Sequence, residues 1–441
     1  MARSRHATGW TGGVKNGPAI RMMRDSSGPS RRRILAGLGA AATAPLWRRA
    51  AAQTLPPPPA MTIKEGPSGA YIFDPTPPAS FQLGDRLRLF ATNNLAQRIA
   101  LGPRGLDGIP ALDLRSGKSA GVDIALAQAG TFVLDARWLE DGAPKPLPIM
   151  AFVVAESAPP QVDQDRVLLI EDARVTADGA SIAPGVDAAD ARTVYTINGQ
   201  PNLDLHVRGN ERLRLRLVNG CHRNPVALQF DDHDVRVMAI DSRPAEPFLA
   251  RDRRVVLAPG TRADVLVDAT RQPGSISAVQ LFDGVGPKRI AQLVYVKEAP
   301  LRPEVLPAAA PLADEPSKLE LGRALRAPPI EVGSREWVLP RDLVEKIPPS
   351  PLFRAIRGRT VLLTLSNHTT VPATFHLHSH HFRWLDRLDD GWKPFLLDTM
   401  LIDVGQTERI AFRADFPGNW LMEVTPMDWS APRRAQWFEI S

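Results

Sequence analysis

Apolar and polar positions alternate along this chain in short runs. Arg86-Leu87-Arg88-Leu89-Phe90 alternates as a half-buried strand does, and Arg212-Leu213-Arg214-Leu215-Arg216-Leu217-Val218 repeats the pattern more cleanly. Val255–Ala258 and Ala263–Val267 flank Pro259-Gly260 and read as strand, turn, strand. Thr360–Leu365 and Thr407–Phe412 form a third set, and only Pro340–Lys346 has a helical look. A Gly precedes and an Asn follows three of these strands: Gly84 to Asn94, Gly209 to Asn219, Gly358 to Asn367. That is a weak repeat of sandwich size. The expected fold is all-β, with three Greek-key β-sandwich domains over 61–157, 158–299 and 335–441 and a Pro/Ala-rich connection over 300–334. A length of 441 residues, 42 prolines and only three tyrosines suit this loop-rich β reading.

Charge changes the picture at the N-terminus. The net charge is +6, but residues 1–52 hold ten Arg or Lys and one acid, so +9 sits there and −3 remains for the rest. A basic nucleic-acid surface is therefore not expected. Ser30-Arg31-Arg32-Arg33-Ile34-Leu35, a weakly apolar stretch from Ile34 to Trp47, then Arg48-Arg49 and Ala50-Ala51-Ala52 resemble a twin-arginine signal with its cleavage site. The apolar stretch is too short to span a membrane. The expectation is a signal over 1–52, with Met1, Met22 or Met23 as the start, a Pro-rich linker over 53–60, and a mature periplasmic chain without a transmembrane segment. Cys221 stands alone, so no intramolecular disulfide is available. It reads as a small buried residue.

The candidate chemistry lies in Thr374-Phe375-His376-Leu377-His378-Ser379-His380-His381-Phe382, which holds four of the nine histidines. In an extended strand His376, His378 and His380 share a face and His381 points away. Imidazole is the commonest side-chain ligand for copper and zinc, so these three are the candidate metal set.

Further motifs fix the comparison: Tyr195-Thr196-Ile197-Asn198-Gly199-Gln200-Pro201, Leu257-Ala258-Pro259-Gly260-Thr261-Arg262-Ala263-Asp264-Val265, Phe375-His376-Leu377-His378, Asp398-Thr399, and Ala414-Asp415-Phe416-Pro417-Gly418-Asn419-Trp420. With these the chain resembles the three-domain multicopper oxidases, whose domains are cupredoxin sandwiches. That resemblance implies four His-x-His pairs around a three-copper cluster, and a Cys, two His and a Met around a blue copper. The matching positions here read Gly102-Pro103-Arg104, Asp135-Ala136-Arg137, His376 with His378, and Glu423-Val424-Thr425 for the cluster. For the blue copper they read Ala373, Val424, Trp429 and a position near Arg434. Gly, Val and Ala cannot ligate copper, and Arg repels it.

The resemblance therefore implies a degenerate member, similar to a copper-free periplasmic homologue that serves cell division. It implies a non-catalytic scaffold or binding protein with a periplasmic or cell-envelope protein partner. An active four-copper oxidase is not expected; at most one weakly bound copper or zinc is. A divergent copper-binding oxidoreductase and a periplasmic copper-binding protein are the alternatives. Three readings of His376 and His378 stay open: packed relics, hydrogen-bond partners of Asp135 or Glu423, or a metal site with His380, His368 or a carboxylate. The resemblance also implies that Gly102, Arg104, Asp135 and Arg137 face His376 and His378, with Arg104 and Arg137 pairing to Asp135 or Glu423.

Overall fold

The alternating runs fold as strands: Arg86–Asn93, Arg212–Asn219, Arg254–Leu257, Arg262–Asp268, Thr360–Asn367 and Thr407–Arg413. The computed structural model describes residues 61–67, 69–139, 145–186, 190–313, 318–345, 350–386 and 391–441. The stretches expected to be an export signal, 1–52, and a Pro-rich linker, 53–60, lie outside the described residues. Among those residues the one α-helix is Pro340–Glu345, and no helix is long and apolar enough to cross a membrane.

The strands form six sheets. They pair face to face into three cupredoxin-like sandwiches, as the alternation demands when each sheet has an apolar face to bury. The first core holds Leu87, Leu89, Phe132 and Phe152, the second Leu213, Leu215, Leu217 and Leu281, and the third Phe375, Phe412, Trp420 and Phe438. The connecting stretch 300–334 is not bare linker at its end. Leu325–Arg326 and Ile330–Val332 add parallel strands beside Thr360–Asn367, and Ile330 and Val332 enter the third core.

One buried asparagine recurs in each sandwich at the end of the alternating strand, fully excluded from solvent. Asn219 Nδ2 donates to the carbonyls of Asn224 and Leu257 while its Oδ1 accepts from the Cys221 amide. Asn367 makes the same three bonds to Val371, Ile402 and Thr369. In the first sandwich the position is Asn93, one residue before the expected Asn94, bonded to Gln97, Leu114 and Leu95.

Arg212–Asn219 departs from the half-buried expectation, because every residue in it is buried. Its leucines enter the second core, Arg214 and Arg216 face the first sandwich, and Arg212 pairs with Asp268 and the carbonyls of Leu306 and Pro307. Arg214 pairs with Glu156 and with Asp264 at 2.7 Å. Arg216 bonds Asp264, Asp165 and the Thr131 hydroxyl. Alternation specified two faces; matched carboxylates allow the polar one to be covered.

Candidate functional site

Four strands from two sandwiches converge where the resemblance puts the copper cluster. Ile99–Arg104 pairs with Gly130–Trp138 in a register that sets Gly102 opposite Asp135 and Ala100 opposite Arg137. Asp135 and Arg137, two apart, share a face. Across the junction Ala373–Leu377 pairs with Gly418–Pro426, placing His376 opposite Glu423.

The side chains form a continuous chain of charge. Arg104 Nε donates to Asp135 Oδ2 at 3.0 Å, Arg137 Nε donates to the same oxygen, and Arg137 Nη1 donates to Glu423 Oε1 at 2.7 Å. Glu423 Oε2 lies 3.5 Å from His378 Nε2, and Arg433 Nη1 lies 3.7 Å from Glu423 Oε1. Arg104, Asp135, Arg137, Glu423 and Arg433 border a cavity of about 90 Å³ that the Asn219–Arg223 loop of the second sandwich also lines, so all three sandwiches meet there. Burial alone would raise the Glu423 carboxyl, but the His378 hydrogen bond and the Arg433 and Arg104 charges hold it below its ordinary range. Burial dominates at Asp135, whose carboxyl is raised despite Arg104 and Arg433, with Glu423 adding to the rise.

The candidate metal set does not stay together. His376 and His378 are neighbours, with ring centroids 4.4 Å apart. His376 Nδ1 faces the Asp398 carbonyl and the Thr399 hydroxyl at 3.0 and 2.9 Å. A carbonyl only accepts, so Nδ1 carries the proton. Burial, then Arg104 and His378, push the His376 pKa well below its ordinary value. His380 leaves the pair, contrary to the alternation. The strand ends at Leu377, and Ser379 has φ +61°, so the backbone turns before His380. The His380 ring packs edge-on or tilted against Phe412, Phe416, Trp420 and Phe438, and burial lowers its pKa to about 4. His381 spans Asp107 of the first sandwich and the Asp241 carbonyl of the second, at 2.7 and 2.6 Å. His368 is exposed. Among the described residues no group of three or more His, Cys, Asp or Glu side chains is arranged to hold a metal ion.

The residues at these positions do not fit a copper cluster. Asp135 Oδ2 and Glu423 Oε1 are engaged by guanidinium groups, whose fixed charge opposes a divalent ion. The implied blue-copper positions do not fit either. Ala373 and Val424 are in the apolar core of the third sandwich. Trp429 Nε1 donates to the Ala183 carbonyl, and the Trp429 carbonyl accepts from the Gly185 amide. Arg434 opens the last strand, opposite Val424.

Sequence reasoning missed three contributors. Arg433 reaches Glu423 and also donates to the Trp138 carbonyl. Cys221, read only as a small buried residue, is buried and lines the same cavity as His376, and burial raises its thiol pKa well above normal. Arg262 donates to both oxygens of Asp398 at 3.1 and 2.7 Å, tying second sandwich to third. Arg262 and Asp398 stood in motifs already quoted, but their partners are 136 residues apart. Local pattern carries no signal for such a pair.

Residues 172–284 and 334–426 match family models described as multicopper oxidase. Among solved structures, the multi-copper oxidase from Pseudomonas thermotolerans superposes with a TM-score of 0.71 at 20% identity, covering 87% of this chain and 98% of that one. Lac15 from a marine microbial metagenome gives 0.67 at 23%, covering 86% and 98%. The Campylobacter jejuni multicopper oxidase described as a metallo-oxidase gives 0.61 at 15%, covering 86% and 90%. At these identities the likeness to each structure is one of fold. No curated protein sequence matches the chain.

Proposed function

Because this chain belongs to the multicopper oxidase family yet carries ion pairs where copper ligands are implied, we propose that it is an exported, non-catalytic scaffold or binding protein. The observation that carries the reading is the Arg137–Glu423 bond across the first and third sandwiches. It ties together the faces between which the resemblance places the three-copper cluster. A fold reused without its chemistry keeps the residues that set strands and turns and frees the rest. Export rests on the Arg31-Arg32-Arg33 run and Ala50-Ala51-Ala52. A cell-envelope protein partner, with a division role, rests on the resemblance.

Two experiments test the reading. The copper-loaded mature chain should show no intense absorption near about 600 nm, a band that needs a thiolate–copper bond, and only background oxygen uptake with phenols. A strain lacking the protein should regain its envelope or division phenotype equally well from the native chain and from His376→Ala/His378→Ala. Rescue by the native chain alone, with blue colour or oxygen consumption, would sink the proposal.

One observation favours the second reading, a divergent copper-binding oxidoreductase. The His376 tautomer leaves Nε2 as a free lone pair beside His378. Arg104 and Arg137 oppose it electrostatically, so it stands second.

A further inference from the structure

We propose that residues 427–433 form a strap along the rim of the junction cavity, and that this strap lifts without unfolding the sandwiches and gives the cavity its route to solvent. The strap goes beyond the non-catalytic reading and does not depend on it. It connects Gly418–Pro426 to Arg434–Ile440 and belongs to no strand. Its bonds to the other two sandwiches fall along the rim. Trp429 Nε1 donates to the Ala183 carbonyl at 3.0 Å, and the Gly185 amide donates to the Trp429 carbonyl at 2.7 Å. Pro184, between those two anchors, lines the cavity. The Trp429 ring meets His222, another lining residue, edge-on with centroids 5.8 Å apart. Arg223 Nη2 donates to the Ala431 carbonyl at 3.3 Å, and Arg223 lines the cavity too. Arg433, at the strap's far end, donates to the carbonyl of Trp138, and both residues are in the lining.

The way the strap is held makes it separable. Trp429 is its one buried residue, and the others are half-buried or exposed. One indole ring and a few hydrogen bonds to backbone carbonyls seat it, where a strand in a sandwich has a ladder of bonds. Segments with few buried apolar contacts open at a lower free energy than the core around them. The opposite wall of the cavity is fixed. Thr374 and His376 belong to Ala373–Leu377, which is paired on both sides. Ala373, Phe375 and Leu377 enter the third core, so Thr374 and His376 turn the other way, into the junction. A polar lining and a volume of about 90 Å³ admit several waters, so lifting the strap joins a wet cavity to bulk solvent and uncovers Thr374.

The test reads the strap and the cavity separately. Exchange of the Gly185 amide, whose acceptor is on the strap, reports lifting. Thr374→Cys in the full mature chain carrying Cys221→Ala leaves a single thiol in the cavity wall, and its alkylation by iodoacetamide reports access. Both should proceed slowly and through an opening much less urea-dependent than global unfolding, because urea dependence follows the surface exposed. Trp429→Ala should speed both by about 10-fold or more. Trp429→Phe, which keeps a ring and removes only the indole donor, should speed both by about 3-fold or more and guards against a folding failure of the first variant. Urea dependence as steep as that of global unfolding would overturn the proposal. So would rates that neither variant raises beyond its effect on global stability, a thiol labelled as fast as in the unfolded chain, or a strap that lifts by Gly185 exchange while the thiol stays unlabelled.

Discussion

Glu423 shows how a copper position becomes a charge hub. Its two oxygens face Arg137, Arg433 and His378. Glu423→Gln keeps the size and removes the charge, leaving buried guanidinium groups short of a counter-ion. Urea unfolding should show a loss of about 3–5 kcal/mol, the scale for breaking a buried pair on one side. A loss under about 1 kcal/mol would mean that the cluster is solvated and inert. Gly260 makes a second residue-level prediction. It sits at φ +87°, and a Cβ there would collide with Arg104 Nη1. Gly260→Ala should destabilise through backbone and contact together by about 1–3 kcal/mol. Equal stability would count against the backbone strain at Gly260 as well as against the contact with Arg104. His233 carries a pH prediction. Its Nδ1 faces the Asp231 carbonyl and its Nε2 faces the Tyr295 hydroxyl, and burial lowers its pKa. The unfolded chain then binds a proton first as pH falls. Its stabilising contribution is complete above about pH 6.5 and is lost below that, by at most about 1.4 kcal/mol per pH unit. His233→Gln should flatten the pH dependence of unfolding below that point, and an unchanged slope would count against the buried neutral imidazole. At this scale the sequence was legible where chemistry follows residue type, as with Arg104 and Asp135. It was not legible at His380, because nothing in the local pattern announces the left-handed turn at Ser379.

The recurring asparagine is the clearest element-level device. Asn93, Asn219 and Asn367 each end an alternating strand and close the following turn with two donated bonds and one accepted. Asn367→Ala removes the donors to the Val371 and Ile402 carbonyls and the acceptor for the Thr369 amide, while the Val371 carbonyl keeps a second donor, the Thr369 hydroxyl. It should cost about 2–4 kcal/mol by denaturant titration, with a cost under about 1 kcal/mol contradicting the anchoring role. The Gly-to-Asn spacing exposed the repeat in the sequence, but the first unit was read at Asn94, since two adjacent asparagines cannot be told apart without the register. The strands were legible because alternation reports which residues share a face. Whether a face is covered depends on another element. That is why the arginine face of Arg212–Asn219 read as half-exposed although every residue is buried.

Hydrogen bonds to charged side chains join the three sandwiches pairwise. Thr131 and Arg216 meet at Asp264 between the first and second, Arg262 holds Asp398 between the second and third, and Arg137 holds Glu423 between the first and third. The architecture was legible from strand pattern and motif order. The junction was legible only in part, because its partners lie up to 286 residues apart and register alone brings them together. The central claim is that this junction holds itself by ion pairs and not by copper. The most direct measurement is the copper content of the mature chain after copper loading and dialysis against a mild chelator, beside His376→Ala/His378→Ala. The account predicts less than about 0.1 copper per chain in both, since two neighbouring imidazoles fall short of a stable ligand set. One copper per native chain that survives the chelator and disappears from the double variant would contradict it.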